Sequence, residues 1–152
     1  MLHWSGSTAE IRDHPRASMT DIFTKTKRSQ IMGRIRGKDT KLELRVRRAL
    51  HRAGFRYRLH VRKLPGSPDI VLPKHKAVIF INGCFWHGHV CRGGKLPKTR
   101  RKFWKQKIER NRERDKENDK KLKVLGWRSM TLWECERDEV KVIRKVSRFL
   151  GR

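Results

Sequence analysis

Between residues 82 and 91 the chain reads NGCFWHGHVC, which gathers two cysteines, two histidines, a phenylalanine and a tryptophan into ten positions. Thiolates and imidazoles this close together suit a tetrahedral Zn²⁺, because a short loop can wrap several soft ligands around one ion. Cys84, His89 and Cys91 come from this loop, and Cys135 is the only other cysteine, so together they make a Cys₃His set. Such a closed set would be structural, with no open position for substrate, and would staple the loop to the segment that carries Cys135. The competing explanation is that Cys84 ends a core strand and Cys135 is a small buried hydrophobe, as free cysteines often are. It requires every cysteine to fall at a ligand-compatible place by chance, so zinc is favoured.

Three further residues could do chemistry. His87 lies outside the Cys₃His set; imidazole can act as a general base near neutrality, although a satisfied or exposed histidine is the commoner fate. Asp69, in PGSPD, stands at the entry to the apolar stretch DIVLP. A carboxylate at a strand end can hold Mg²⁺ against a phosphate, because a hard ion prefers oxygen ligands. Ordinary turn chemistry also explains an aspartate after proline. Glu43 follows Thr40 in a T-x-x-E capping box, so its carboxylate has a plain local use as well.

The elements that must position these residues are legible from periodicity. Leu42, Val46, Ala49, Leu50 and Ala53 have the spacing of a helix with one buried face, stopped at Gly54. RSQIMGRI (28–35) predicts a short helix before it. FRYRLHV alternates as an exposed strand does, DIVLP is a short buried strand, and KAVIFIN is the most apolar strand of the chain. Residues 99–125 consist almost entirely of good helix formers, with Thr99 as N-cap and Gly126 as stop. The apolar residues of that helix (Phe103, Trp104, Ile108, Leu122, Val124, Leu125) cluster at its two ends, so the ends should dock and the polar middle should be solvated or lie along phosphate. WRSMTLWEC is a further strand, and Val140, Ile143, Val146 and Leu150 mark a last helix. The order α, β, β, β, α, β, α predicts an α/β domain, a mixed sheet flanked by helices.

Composition bounds the partner. Of 152 residues, 41 are Lys or Arg against 15 Asp or Glu, a formal charge of +26, so the compact state repels itself unless an anion relieves it. Nucleic acid is the obvious anion. A membrane is a poorer one: no run approaches the length of a spanning helix, and the charged helix lacks a broad apolar face. The odd number of cysteines favours reduced thiols or metal ligands over a disulfide framework, and no signal-peptide pattern is visible, so a cytoplasmic location is expected. Residues 1–18 read as a disordered leader or an extension ahead of Met19, and 19–152 as a single domain.

Taken in order, RSQIMGRIRGKDTKLE, LPGSPDIVL, VIFINGCFWHGHVC, KTRRKFWKQKIERNRERD and LGWRSMTLWEC resemble the very-short-patch repair (Vsr) endonucleases over about residues 20–136. The resemblance implies a restriction-endonuclease-like fold with a structural zinc site at Cys84, His89, Cys91 and Cys135. It implies Asp69 and the main-chain carbonyl of Ile81 as Mg²⁺ ligands, His87 as the histidine that activates water, and Glu43 as an acidic member of the site. Phe85, Trp86 and Trp104 match aromatics that wedge into the DNA stack, where a step beside a mispair is cheaper to open; from the residues alone the better reading is that Trp104 and Phe103 form the apolar face of their helix and Phe85 packs under the zinc, and the resemblance reverses it for Phe85 and Trp86 more firmly than for Trp104. The implied reaction is a Mg²⁺-dependent nick 5′ of the thymine in a T:G mismatch in double-stranded DNA; one asymmetric mispair and a single-strand cut fit a monomer, and DNA binding would associate it with the nucleoid. One departure stands out: Asn82 occupies a position where some relatives carry histidine, and it cannot titrate near neutrality. The rival classes are a non-catalytic zinc-bearing DNA-binding module and a nuclease of the same fold with another DNA target.

Overall fold

The computed structural model describes residues 40–59 and 61–151, together with Thr24, Thr26, Lys27 and Gln30. The chain divides into two units, Met1–Arg34 and Ile35–Arg152. Of the first, Thr26, Lys27 and Gln30 are helical, and the Lys27 N–H donates to Thr24 Oγ1 at 3.3 Å. The leader over 1–18 and, apart from Gln30, the helix expected over 28–35 lie outside the described residues.

In the second unit, helix α1 (Lys41–Arg52) starts where the Thr40 hydroxyl oxygen accepts the Glu43 N–H at 3.2 Å. It ends before Gly54, whose φ of +82° suits a residue without Cβ. Its inward face carries Val46, Ala49 and Leu50, and also the buried pair Glu43 and Arg47. Strands β1 (Ile70–Leu72), β2 (Ala77–Asn82) and β3 (Arg128–Trp133) form one sheet with β2 in the centre. β1 runs antiparallel to β2, with Ile70 opposite Ile79, and β3 runs parallel to β2, with Ile81 opposite Leu132. The β2–β3 crossover contains helix α2 (Arg101–Val124), and helix α3 (Glu139–Leu150) closes the domain between the Asp138 cap and Gly151. The result is a mixed α/β sheet with helices, as the periodicity predicts.

Alternation along β2 divides the core. Ala77 and Ile79 pack with Val46 and Leu50 of α1 and Val142, Val146 and Leu150 of α3. Val78 faces the other way, onto Val71 and Leu122 of α2. One sheet face thus meets α1 and α3, and the other meets α2. Truncating a fully buried member such as Leu50 to Ala should cost about 2–5 kcal/mol.

Four sequence-based expectations are corrected. Among the described residues of FRYRLHV no strand forms; they contribute one antiparallel bridge, with Arg58 N–H to the Val71 carbonyl at 2.7 Å and Val71 N–H to the Arg58 carbonyl at 2.9 Å. Its alternation is a burial pattern, since Phe55, Tyr57 and Leu59 face the core while the strand opposite is only three residues long. Thr99 does not cap α2; Arg100 does so in a left-handed conformation without a side-chain cap bond, and its guanidinium lies 4.7 Å from the centre of the Phe103 ring. Val140 is 66% exposed, because the buried face of α3 runs through Val142, Val146 and Leu150. The fourth correction concerns α2. Val124 and Leu125 are exposed, whereas Asn111, Asp115, Asn118 and Asp119 in the polar middle are half-buried. Together with Trp104, Ile108 and Leu122 they follow the helical three-or-four spacing, so the polar middle is a docked face.

Candidate active site and metal centre

The sheet brings the first carboxylate to its place. Antiparallel pairing of β1 and β2 carries Asp69, the residue just before β1, to the C-terminal half of β2, where its Oδ2 accepts the Ile81 N–H at 2.7 Å. Burial pushes the Asp69 carboxyl above the ordinary carboxylate range, and the nearby charge of Glu43 adds to this, while the Ile81 N–H and Arg47 oppose it. A cation beside Asp69 would relieve that cost.

Glu43 is only 4% exposed. Its Oε1 accepts the Thr40 hydroxyl at 3.0 Å, and its Oε2 accepts from Arg47 Nη2 at 2.9 Å. Its oxygens are thus held by Thr40 and Arg47 while it lines a cavity of about 750 Å³ shared with Asp69, Ile81, His87 and Asp115. The first three of these partners were anticipated from the sequence. Asp115 was not.

His87 Nδ1 lies 2.5 Å from Asp115 Oδ2. A neutral imidazole that donates from Nδ1 to this carboxylate keeps Nε2 as the acceptor, so Asp115 selects both the tautomer and the ring orientation. Asp115 stands among the many charges of α2 and carries no motif of its own. The available signal is positional: it lies seven residues after Ile108, on the helix face that docks.

Phe85, Trp86 and Trp104 touch one another edge to face, with ring centroids 5.1 Å apart for Phe85 with each tryptophan and 5.9 Å between the tryptophans. The cluster is half-buried, and the Lys107 ammonium caps it at 5.5 Å from Trp86 and 5.7 Å from Trp104. Trp104 is on the docked face of α2 and within the aromatic group.

Cys84, His89, Cys91 and Cys135 converge, with ligating atoms within 4.8 Å of one another and Cys135 Sγ 3.6 Å from His89 Nδ1. Ligands at zinc-like distances around a tetrahedral centre stand about 3.3–3.8 Å apart, so one ion can reach all four with small adjustments. The donor chemistry fits as well. Burial and the neighbouring Cys91 and Cys135 sulfurs push the Cys84 thiol up to about 12, whereas His89 brings the Cys91 thiol down to about 7. A soft cation is what would let the buried Cys84 ionise. Trp133, also missed from the sequence, stacks on the His89 ring at 4.2 Å and 18° and meets the edge of His87 at 6.4 Å.

A strongly basic chain with an acidic cavity, a histidine oriented by aspartate and a separate thiol cluster has the makings of a nuclease. Comparison with known proteins gives the particular kind. The family model for DNA mismatch endonuclease Vsr matches residues 20–93. The chain is 48% identical over 118 residues to the type II nicking enzyme V.XorIIP of Xanthomonas oryzae pv. oryzae, covering 78% of this chain and 87% of that protein. It is 47% identical over 127 residues to V.NmeAIP of Neisseria meningitidis, covering 84% and 91%, and 43% identical over 117 residues to DNA mismatch endonuclease Vsr of Escherichia coli, covering 77% and 75%. The chain belongs to the DNA mismatch endonuclease Vsr family and is a DNA endonuclease.

Proposed function

We propose that this endonuclease hydrolyses one phosphodiester 5′ of the thymine in a T:G mismatch, with Mg²⁺ at Asp69 and the Ile81 carbonyl and with Zn²⁺ in the Cys84, His89, Cys91 and Cys135 set. The observation that carries the reading is that the His87–Asp115 pair opens into the same cavity as Asp69 and Glu43. The antiparallel β1–β2 pair that carries Asp69 and the β2–α2–β3 crossover support a restriction-endonuclease-like core.

Asp115 accepts a hydrogen bond from the His87 Nδ1–H, and His87 Nε2 takes a proton from the water that attacks phosphorus. As that bond forms, the bond to the leaving oxygen breaks, that oxygen keeps the electron pair and takes a proton from solvent water, and the imidazolium is balanced by Asp115. Asp69, held by the Ile81 N–H, keeps its free lone pairs toward the cavity, and Glu43 adds negative charge beside it. Mg²⁺ bound there supplies charge neutralisation at the phosphate. Phe85, Trp86 and Trp104 wedge between bases next to the mispair, which costs a few kcal/mol of unstacking and is cheapest at a mispaired step. Single-site action on one asymmetric mispair fits a monomer, and the charge of +26 predicts salt-sensitive phosphate contacts.

The test uses an end-labelled duplex with one T:G pair, beside T:A and C:G controls, in Mg²⁺ or EDTA. One Mg²⁺-dependent nick adjoining the mispaired thymine, absent from both controls, is the expected result. Binding to all three duplexes without a cut would replace the reading with a DNA-binding module, and cutting of the controls would replace the mismatch by another target.

A further inference from the structure

The turn that carries the aromatic wedge and the histidine is short and closed on itself. The Gly88 N–H donates to the Phe85 carbonyl at 3.3 Å, and the His89 N–H donates to the Cys84 carbonyl at 3.0 Å. Trp86 and His87 are the two central residues of the Phe85–Gly88 turn, so the peptide unit joining them is its central one. In a β-turn that unit has two orientations, related by a flip that moves the third residue to positive φ. His87 keeps its φ outside the left-handed region. A flip would turn the Trp86 carbonyl to the opposite side, rotate the His87 backbone and carry its ring away from Asp115.

One side chain holds this peptide. Asn111 Nδ2 donates to the Trp86 carbonyl at 2.8 Å, and Asn111 Oδ1 accepts from Arg114 Nη2 at 3.2 Å, which fixes which end of the amide faces the turn. Asn111 lies four residues before Asp115 and three after Ile108, on the same face of α2. Ile108 packs so closely on Gly88 that a Cβ there would meet Ile108 Cγ2 at 2.7 Å. One helix face thus clamps the backbone of the turn at Asn111 and Ile108, its catalytic ring at Asp115 and its aromatics at Trp104.

Building on the function proposed above, we propose that Asn111 is a positioning residue that locks the Trp86–His87 peptide in one orientation, so that wedge insertion and the aim of His87 are set together. Asn111 need not touch DNA in this role. It also predicts an unusual ranking of variants. Asn111→Leu removes the donor and leaves the flip unbiased. Asn111→Asp, the closer isostere, cannot donate to the Trp86 carbonyl but can accept the His87 N–H that the flip presents, and so favours the wrong orientation.

The experiment measures single-turnover nicking of a T:G duplex at saturating protein, Kd for the same duplex with no Mg²⁺ added and the thiol-bound metal left in place, thermal melting, and the His87 and His89 ring signals of the [¹³C]histidine-labelled holoprotein. Asn111→Leu should lower the rate roughly 10- to 100-fold, and Asn111→Asp should lower it further. Melting and the His89 signal should be unchanged and the His87 signal should move; Kd should stay within about threefold for Asn111→Leu. Wild-type rates in both variants would overturn the proposal, as would losses that track melting or a larger loss for Leu than for Asp. His87→Ala separates the two levels: if it nicks like the wild type, the function proposed for His87 is wrong and the role of Asn111 falls with it, whereas an inert His87→Ala beside wild-type Asn111 variants refutes Asn111 alone.

Discussion

Two sites of opposite chemistry hang from the end of one strand. Within a few residues beyond β2, His87 turns to an oxygen-lined cavity with Glu43, Asp69 and Asp115, while His89 turns to three sulfurs. The thiol site takes three of its four ligands from an eight-residue stretch, 84–91, and needs one distant residue, Cys135. The carboxylate site draws single residues from α1, the start of β1, β2, the loop and α2, spanning positions 43–115. The first is a local knot closed once; the second exists only when the sheet and two helices are assembled. Loss of a knot ligand should therefore be felt in both sites, and loss of a cavity residue in one.

The strongest way to break that contrast is Cys84→Ser. It should lose metal, unfold the 84–91 loop and abolish nicking, because the free energy of such a metal site, on the order of 10 kcal/mol, is folding free energy. Metal analysis, melting and the nicking assay measure it together, and a variant that stays active without metal would show that the knot does not support the cavity. Next in size is Asp115→Asn, which should lower the nicking rate about 100-fold or more by releasing the His87 tautomer, with melting and duplex affinity unaltered. An unchanged rate would remove Asp115 from the chemistry.

The smallest effect, a change in stability, sharpens the contrast from the other side. Asp69→Asn should abolish nicking, yet with the thiol-bound metal in place and no Mg²⁺ added the variant should melt higher than the wild type at neutral pH. Burial raises the Asp69 pKa in the folded chain, so the ionised form costs stability. That cost is absent below the unfolded value of 3.8, where both states are protonated, and appears as pH rises through the raised folded value. The gain should thus grow from acid to neutral pH; each kcal/mol corresponds to about 2–4 °C in a domain of this size. Equal melting at neutral pH would mean that the carboxylate is already compensated without a cation.

How much was legible follows from the same contrast. The Cys₃His set was visible because its residue types are scarce and its spacing local. The β2 core strand and the buried faces of α1 and α3 were visible because alternation and helical spacing record which side of an element is covered, although at Val140 a neighbouring apolar residue was counted into a face it does not join. Alternation in FRYRLHV recorded burial as well, and was mistaken for a ladder because a sequence does not say how long the strand opposite is.

By itself, then, the sequence determined the α/β class, the basic charge that calls for a polyanion and the thiol knot, all of which depend on composition or on contacts within a few residues. Its family resemblance added expected roles for Asp69, Glu43 and His87. Tertiary structure alone decided that the polar middle of α2 is a docked face, that Asp115 reaches His87 across 28 residues and that Asn111 reaches the Trp86 carbonyl across 25. The reason is physical: a polar residue on a helix of charges has no periodicity of its own, and only the packing of that helix against the β2 loop turns one asparagine and one aspartate from solvated surface into the wall of a site.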